Sequence, residues 1–206
     1  MNKILLGTLA MAAIVVASNI LVQYPIGQWL TWGAFSYPLT FLVSDLVNRF
    51  HGVQAARRVV FAGLIVGLIC SFIGTKIMGE FGPLVTWRVA LGSALAFLVG
   101  QMLDVTLFDK LRRSAWWRAP FLSTLLGSTA DTAIFFSVAF SAALIWLEPA
   151  NDVSWATGPV PLLGFGRDVP LWVSLGVADW GVKIAVDILA LLPFRLAIAK
   201  YATRLA

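Results

Sequence analysis

The fold class of this chain is decided by one stretch, Val169-Pro-Leu-Trp-Val-Ser-Leu-Gly-Val-Ala-Asp179-Trp-Gly-Val-Lys183-Ile-Ala-Val-Asp187-Ile-Leu-Ala-Leu-Leu-Pro-Phe194. It is apolar and long enough to cross a bilayer, which takes about 20 helical residues. Its three charged side chains are spaced four residues apart, so they share one face of a helix. A charge at bilayer depth costs about 2.5–3.5 kcal/mol, so it faces a partner or a water-filled cavity. The stripe is either a transport site or a structural ion pair.

The composition of the whole chain indicates a membrane protein. Of its 206 residues, 60% are hydrophobic and 12% are charged, and the mean hydropathy is +0.88. A soluble domain carries about twice that charged fraction. The single cysteine, Cys70, excludes an intrachain disulfide and a Cys-rich metal site, and the single histidine, His51, excludes His-rich metal chemistry. We expect one transmembrane domain over residues 1–206 and no cofactor.

Six apolar segments follow one another along the chain. The second and third are shorter than the about 20 residues that a helix needs to span a bilayer, so we expect them to extend into their flanks. The first resembles a signal peptide, but we expect it to be a helix of the folded protein. The pattern predicts an all-α integral membrane protein with six transmembrane helices in one bundle. The segments are Ile4–Val22, Trp32–Val47, Val59–Ile73, Leu84–Leu107, Pro120–Leu147 and Val169–Phe194.

Basic residues are concentrated in alternate connections, which predicts the orientation of the protein. By the positive-inside rule both termini are cytoplasmic, and an even number of spans agrees with that. The formal net charge of +5 is thereby explained without a nucleic-acid partner. The opposite loops carry only Lys76 and Arg167 as basic residues. The basic residues on the predicted cytoplasmic side are Lys3, Arg49, Arg57, Arg58, Lys110, Arg112, Arg113, Arg118, Arg195, Lys200 and Arg204.

Two carboxylates are predicted near the middle of the membrane. Asp131 lies about 12 residues into the fifth segment and Asp179 about 10 residues into the sixth, and these segments run in opposite directions. We therefore expect the two side chains to line one polar cavity. Other polar residues within the segments allow a second interpretation, because Asp45 and Asp104 could reach headgroups and Arg88 could extend outward to the interface.

A short internal similarity links the fourth and fifth segments. Gln101-Met-Leu-Asp-Val-Thr-Leu-Phe108 and Ser128-Thr-Ala-Asp-Thr-Ala-Ile-Phe135 share the pattern Asp-x-x-(Leu/Ile)-Phe at the same offset. The two segments cross the membrane in opposite directions, as do the inverted repeats of many transporters.

The stretch Trp32-Gly-Ala-Phe-Ser-Tyr-Pro-Leu-Thr-Phe-Leu-Val-Ser-Asp-Leu-Val-Asn-Arg-Phe-His-Gly52, followed by Ala55-Ala-Arg-Arg58, resembles the signature of the queuosine precursor transporters. That family was earlier grouped as vitamin uptake transporters. Arg88-Val-Ala-Leu-Gly-Ser93, Asp131-Thr-Ala-Ile-Phe-Phe136 and the segment from Asp179 to Arg195 are also similar to its pattern. The resemblance covers nearly the whole chain.

The resemblance implies a six-helix inner-membrane carrier that imports 7-cyano-7-deazaguanine and 7-aminomethyl-7-deazaguanine, precursors of the tRNA base queuosine. A guanine-like edge offers N–H donors that a carboxylate accepts in bidentate fashion. Amide side chains supply both donors and acceptors, and aromatic rings stack on a base. We expect the substrate site to include Asp131, Asp179, Lys183, Gln101, Asn19, Phe35, Trp180 and Asp45.

Two other functions remain open from the sequence. The chain could be the membrane-embedded binding subunit of an ATP-driven vitamin importer, since it has no nucleotide-binding loop of its own. An intramembrane enzyme is disfavoured, because the chain lacks the motifs G-x-S-x-G and H-E-x-x-H. The expected partners are the lipid bilayer and a small molecule, with a homodimer and a coupling ion left open.

Overall fold

Helices make up most of the structure. The computed structural model describes residues 3–80 and 82–202, so Arg204 of the basic tail lies outside the described residues. Within them the helices are α1 (Lys3–Leu21), α2 (Gly33–Ser36), α3 (Leu39–His51), α4 (Val53–Gly74), α5 (Trp87–Leu111), α6 (Arg118–Phe140), α7 (Ser154–Thr157) and α8 (Leu171–Ala202). Short antiparallel hairpins join β1 (Pro25–Ile26) to β2 (Leu30–Thr31), β3 (Met78–Gly79) to β4 (Gly82–Pro83), and β5 (Pro159–Pro161) to β6 (Asp168–Pro170).

The helix boundaries follow from backbone chemistry. The predicted segment Trp32–Val47 is divided at Pro38, because proline lacks the N–H that a continuous helix from α2 into α3 would use. Gly52 has a φ of +84°, a left-handed conformation that glycine adopts readily, and it separates α3 from α4. Thr86 begins α5 by accepting a hydrogen bond from the Val89 N–H at 3.3 Å. A sequence segment that looked short is thus two helical pieces.

Four helices in the described part of the chain are long and apolar enough to cross a membrane: α1, α4, α5 and α6. Their outward surfaces carry large apolar side chains, and Leu6, Ile65 and Phe72 are each more than half exposed. Such continuous apolar exposure fits a lipid environment. The protein is therefore an all-α membrane protein. Helix α3 has 13 residues and α8 carries three charges within its apolar stretch, so spanning by these two helices stays a prediction.

The long helices run alternately between two ends of the molecule. At one end, which we call the arginine end, Arg49 donates to the Arg112 carbonyl at 2.7 Å and Arg112 donates to the Arg49 carbonyl at 3.2 Å. These bonds join the α3–α4 connection to the α5–α6 connection. The late part of α8 reaches the same end, because Phe194 packs edge-on against Phe108 of α5. The three hairpins connect the helices at the opposite end.

The apolar core lies between α1, α3, α4 and α5. Met11, Val47, Val59, Phe97 and Val105 are buried there in one cluster. Helices α5 and α6 share the most extensive contact, and α8 packs against both α6 and α3. This arrangement leaves the polar residues of α3, α5, α6 and α8 to face one another on the other side of the core.

Candidate functional site

Lys183 is the centre of a group of polar side chains that we call the lysine cluster: Tyr37, Asp131, Thr132, Asp179 and Lys183. Its Nζ lies 2.7 Å from Asp131 Oδ2 and 2.6 Å from Asp179 Oδ2, and it donates to Thr132 Oγ1 at 2.8 Å. Tyr37 donates its hydroxyl to the other Asp131 oxygen at 2.7 Å. Thr132 donates to Asp179 Oδ2 at 3.1 Å. The cluster therefore joins α6 and α8 to the turn that precedes α3.

The two carboxylates of the lysine cluster differ in access. The Asp131 side chain is 4% exposed, and each of its oxygens accepts a hydrogen bond. The Asp179 side chain is 18% exposed, so it is the more open of the two. One ammonium faces two carboxylates, which leaves one negative charge uncompensated when all three groups are ionised. A ligand could satisfy Asp179 in one of two ways: a positive charge would compensate the remaining negative charge, and N–H donors would hydrogen-bond to the carboxylate.

The crossing of α5 and α6 fixes the position of Asp131. A Cβ atom on Gly100 would lie 2.9 Å from the Gly127 carbonyl oxygen, and one on Gly127 would lie 2.8 Å from the Gly100 carbonyl oxygen. Only glycine permits two helix backbones to approach so closely. Gly100 also packs against Asp131, and Gly127 against Asp104. Each glycine precedes an aspartate by four residues, so the crossing holds one carboxyl group on either side.

An open, mostly apolar groove between α6 and α8 adjoins the lysine cluster. Its volume is about 220 Å³, and Thr132 belongs both to the groove wall and to the cluster. Trp180 is held at the groove because its Nε1 donates to Thr129 Oγ1 at 2.9 Å. Pockets for drug-sized ligands measure about 300–1,000 Å³, so this groove is smaller than that range. The other wall residues are Ala133, Phe136, Trp172, Val173, Gly176 and Val177.

A second polar group, which we call the carboxylate cluster, consists of Asp45, Asp104 and Asp187. It lies about one helical turn nearer the arginine end, because Asp104 follows Gly100 and Asp187 follows Lys183 by four residues. The three residues are 2%, 0% and 7% exposed. The hydroxyl group of one threonine bridges the carboxyl groups of Asp45 and Asp104. Thr124 of α6 lies 3.1 Å from Asp104 Oδ1 and 3.4 Å from Asp45 Oδ2.

A line of polar residues on α3 supports this cluster. Thr40, Ser44 and Asn48 are spaced four residues apart and are all buried. Gln101 donates to Thr40 Oγ1 at 2.9 Å and accepts from Ser44 Oγ at 2.9 Å. Asn48 donates to the Val105 carbonyl at 2.9 Å. These bonds fix α3 against α5 and thereby set the separation of Asp45 and Asp104.

Arg88 of α5 binds the end of α6 that lies farthest from the arginine end. It is 1% exposed, its Nε donates to the Val138 carbonyl at 2.6 Å, and its Nη2 donates to the Ser141 carbonyl. Carbonyl groups at the end of a helix lack partners within the helix, so a cation there is favourable. Arg88 therefore points into the protein and not outward to the interface.

The structure brings four of the predicted site residues together. Asp131, Asp179 and Lys183 form the centre of the lysine cluster, and Trp180 lies on the adjoining groove. Lys183 pairs with Asp179 and Asp131, while Asp187 belongs to the carboxylate cluster. The proximity expected for Asp131 and Asp179 is therefore present, mediated by Lys183. Their role in binding a substrate stays a prediction.

The other four predicted residues lie elsewhere. Asp45 belongs to the carboxylate cluster, and Gln101 lies between that cluster and Thr40. Asn19 donates to the carbonyl one turn back in its own helix at 2.9 Å. Phe35 is 42% exposed and packs on a neighbouring tryptophan ring. Their contribution to a substrate site likewise stays a prediction.

Sequence reasoning did not single out Tyr37, Thr132 or Thr124. A signal existed for the two threonines, because Thr124, Ser128 and Thr132 repeat at four-residue spacing on the face that carries Asp131. Tyr37 has no such periodic signal. It reaches Asp131 because Pro38 interrupts the helix, and the direction of a side chain at such an interruption depends on the tertiary fold.

Comparisons with known proteins agree with these features. Residues 31–198 match the family described as "Putative vitamin uptake transporter". The "Queuosine precursor transporter" of Escherichia coli (strain K12) is 36% identical to the chain, with 87% of this chain and 79% of that protein covered. The "Probable queuosine precursor transporter" of Haemophilus influenzae is 31% identical with the same coverage, and that of Bacillus subtilis is 27% identical over 80% of this chain and 70% of its own length. No solved structure matches the chain significantly.

Proposed function

The chain belongs to the family described as "Putative vitamin uptake transporter", and from this membership we propose that it carries queuosine precursors across the membrane. As a member, it is a multi-pass protein of the bacterial inner membrane and a transporter, not an enzyme. The cargo is supported by three relatives named for queuosine precursors. These names do not favour the alternative of a binding subunit for an ATP-driven vitamin importer.

The proposed substrates are 7-cyano-7-deazaguanine and 7-aminomethyl-7-deazaguanine. The observation that carries the proposal is the lysine cluster beside the groove, where buried carboxylates adjoin aromatic walls. The guanine-like edge presents adjacent N–H donors, and a carboxylate accepts two such donors in parallel. An aminomethyl cation would in addition balance the uncompensated negative charge of the cluster. Neither property is needed for an apolar vitamin.

Asp179 is the proposed point of first contact. It is the more exposed carboxylate of the cluster and lies one residue from Trp180, whose ring lines the groove. A base entering the groove would stack on an aromatic ring while its edge turns toward Asp179, and stacking contributes about 1–3 kcal/mol per base. Asp131 and Lys183 would then complete the site after the Lys183–Asp179 contact opens.

The same proposal includes six membrane spans in a single domain over residues 1–206, with both termini in the cytoplasm. Support comes from the alternating direction of the long helices and from the basic side chains at the arginine end. Helix α3 is extended by α2 to make the second crossing, and the charges of α8 are shielded by α6 and α3 in the sixth. Buried, paired charges are the form in which membrane helices tolerate them.

Uptake into proteoliposomes by the purified chain tests this function. We expect labelled 7-cyano-7-deazaguanine to accumulate, unlabelled 7-aminomethyl-7-deazaguanine to compete, and biotin or riboflavin to have no effect. A melting-temperature shift on adding each compound gives an independent measure of binding, because a ligand of the folded state stabilises it by mass action. The proposal would be contradicted if deazaguanines gave no uptake and no shift in melting temperature while a vitamin did give a shift.

A further inference from the structure

The carboxylate cluster lies outside the lysine cluster, where the first contact with the substrate is proposed. Its three carboxyl groups come from α3, α5 and α8, and α6 adds the hydroxyl groups of Ser123 and Thr124. Two basic residues lie one turn from the cluster along these helices, Arg49 after Asp45 on α3 and Lys183 before Asp187 on α8. Arg49 donates to the Arg112 carbonyl at 2.7 Å. Lys183 is already bonded to two other carboxylates, at 2.7 Å and 2.6 Å. The cluster therefore holds three acidic groups without a cation of their own.

Two atoms of the cluster lack hydrogen-bond partners among the described residues. They are Asp45 Oδ1 and Asp187 Oδ2, and both residues are more than nine-tenths buried. Asp45, Asp187 and Thr124 line a small cavity of about 10 Å³, which is close to the least volume that holds one water molecule. Buried acceptors without donors are rare, so these atoms point to an occupant that supplies hydrogen.

Close carboxyl groups make a proton the fitting occupant. The Thr124 hydroxyl lies 3.4 Å from Asp45 Oδ2 and 3.1 Å from Asp104 Oδ1, so the two buried carboxyl groups are neighbours. Two like charges that close in a buried site do not both stay ionised. Among residues 3–80 and 82–202, no three acidic, histidine or cysteine residues are arranged to hold a metal ion. A small cavity lined by carboxyl and hydroxyl groups favours a proton and a single water over a hydrated cation.

We propose that the carboxylate cluster binds and releases the proton that drives transport. Asp45 and Asp104 share the proton, and Asp187 receives or passes it through the cavity. Helix α8 couples the two sites, because Asp187 lies on the same face as Asp179 and Lys183. When the cluster gains a proton on one side of the membrane and loses it on the other, the charge facing Lys183 changes by one. This inference rests on the proposed transport function.

Proton-driven uptake in proteoliposomes tests the proposal. The probe is 7-cyano-7-deazaguanine, which has no amine whose own protonation could mimic the effect. We expect an acidic exterior to raise wild-type uptake several-fold. In Asp104→Asn, which imitates the protonated carboxyl group in size and charge, the pH gradient should have no effect while substrate counterflow continues. Asp109→Asn is the matched control on the same helix, since Asp109 lies outside the cluster and pairs with Arg112; it should behave as the wild type.

Several outcomes would overturn the proton site. One is a persistent response of Asp104→Asn to the pH gradient, and another is wild-type uptake that follows a sodium gradient at equal pH. Should Asp104→Asn fail to fold, Asp187→Asn at the edge of the cavity provides the same comparison.

A substrate-independent measurement separates this inference from the proposed function. Loss of wild-type counterflow would speak against deazaguanine transport and not against the proton site. Infrared difference spectra during a pH titration should show a protonated-carboxyl C=O band in the wild type that disappears in Asp104→Asn. Absence of that band in the wild type would overturn the proton site, whatever the substrate proves to be.

Discussion

Lys183 holds together side chains from two helices, α6 and α8. The residue is 4% exposed, and its ammonium group bonds to Asp131, Asp179 and Thr132. A buried charged pair is weak evidence for stability as a whole, but removing one partner leaves the other charge unpaired. The same side chain can therefore be necessary for folding, for binding, or for both, and the two roles require separate measurements.

Replacing Lys183 by methionine should lower the free energy of unfolding by about 3–5 kcal/mol, the usual effect of stranding a buried charge. The melting temperature in detergent measures this effect. Lys110→Met is the control, because Lys110 is exposed and the substitution removes the same charge. Adding Asp131→Asn to Lys183→Met should recover part of the lost stability. A Lys183→Met protein with unchanged melting temperature would contradict a structural role for the ion pair.

Asp131→Asn should weaken deazaguanine binding by about 2–5 kcal/mol, the scale for breaking a buried charged hydrogen bond. Asparagine preserves the size but replaces an acceptor by a donor, and it releases Lys183 from one of its two carboxylates. Tyr37→Phe is the matched comparison, since it removes only the neutral donor to the same carboxyl group. Its effect on binding should be smaller, because Asp131 keeps its charge and its bond to Lys183. Calorimetric titration of both variants checks the order, and wild-type affinity in a folded Asp131→Asn protein would refute the assignment.

At the level of helices, the α5–α6 crossing determines the geometry of both polar clusters. Gly100 and Gly127 each contact the other's carbonyl oxygen and the aspartate of the opposite helix. The two Asp-x-x-(Leu/Ile)-Phe motifs of the sequence therefore begin on opposite sides of this crossing and extend away from it in opposite directions. Any atom added at this point must separate the two backbones, and the separation displaces both Asp131 and Asp104.

Gly100→Ala should therefore destabilise the protein by about 1–3 kcal/mol, the range for overpacking a tight contact. Its Cβ would lie 2.8 Å from Asp131 Cβ and 2.9 Å from the Gly127 carbonyl oxygen. Gly181→Ala is the matched control, because a Cβ there meets no atom within 4 Å. Alanine is a better helix former than glycine by about 1 kcal/mol, so the control should be neutral or stabilised. Equal melting temperatures for the two variants would show that the crossing tolerates more space than its geometry indicates.

The sequence predicted helix positions better than it predicted helix orientations. Periodicity placed Asp179 and Lys183 on one face, and segment depth placed Asp131 opposite them, so these three could be brought together in advance. The rotation of α3 and α5 about their own axes could not be obtained from one sequence. For that reason the sequence did not show that Gln101 bonds to Thr40 and Ser44 of α3, or that Asp45 lies beside Thr124 of α6. A role of Gln101 and Asp45 in the substrate site stays a prediction.

At the scale of the whole molecule, the arginine end should face the cytoplasm. A Cys70→Ser background removes the only cysteine of the chain, so new cysteines report their own location. Cysteine at Ser114, exposed in the α5–α6 connection, should react with an impermeant thiol reagent only in inverted vesicles. Cysteine at Asp168, exposed in β6, should react only in intact cells. Labelling of the Ser114 position in intact cells would reverse the entire orientation.

The Lys183–Asp179 contact has a consequence for how the carrier works when it is empty. An ammonium group tethered by its own helix already occupies the carboxylate that a cationic or donor-rich cargo would seek, at 2.6 Å. Under the proposed function, Lys183 is an internal competitor for the cargo and compensates one of the two negative charges of the vacant site. Under the proposed function, a cargo that binds at Asp179 would displace Lys183, and the returning lysine would help to release the cargo after the site opens on the other side. Moderate affinity for the cargo would then be a working property of the carrier, because a cargo that Lys183 could not displace would remain bound.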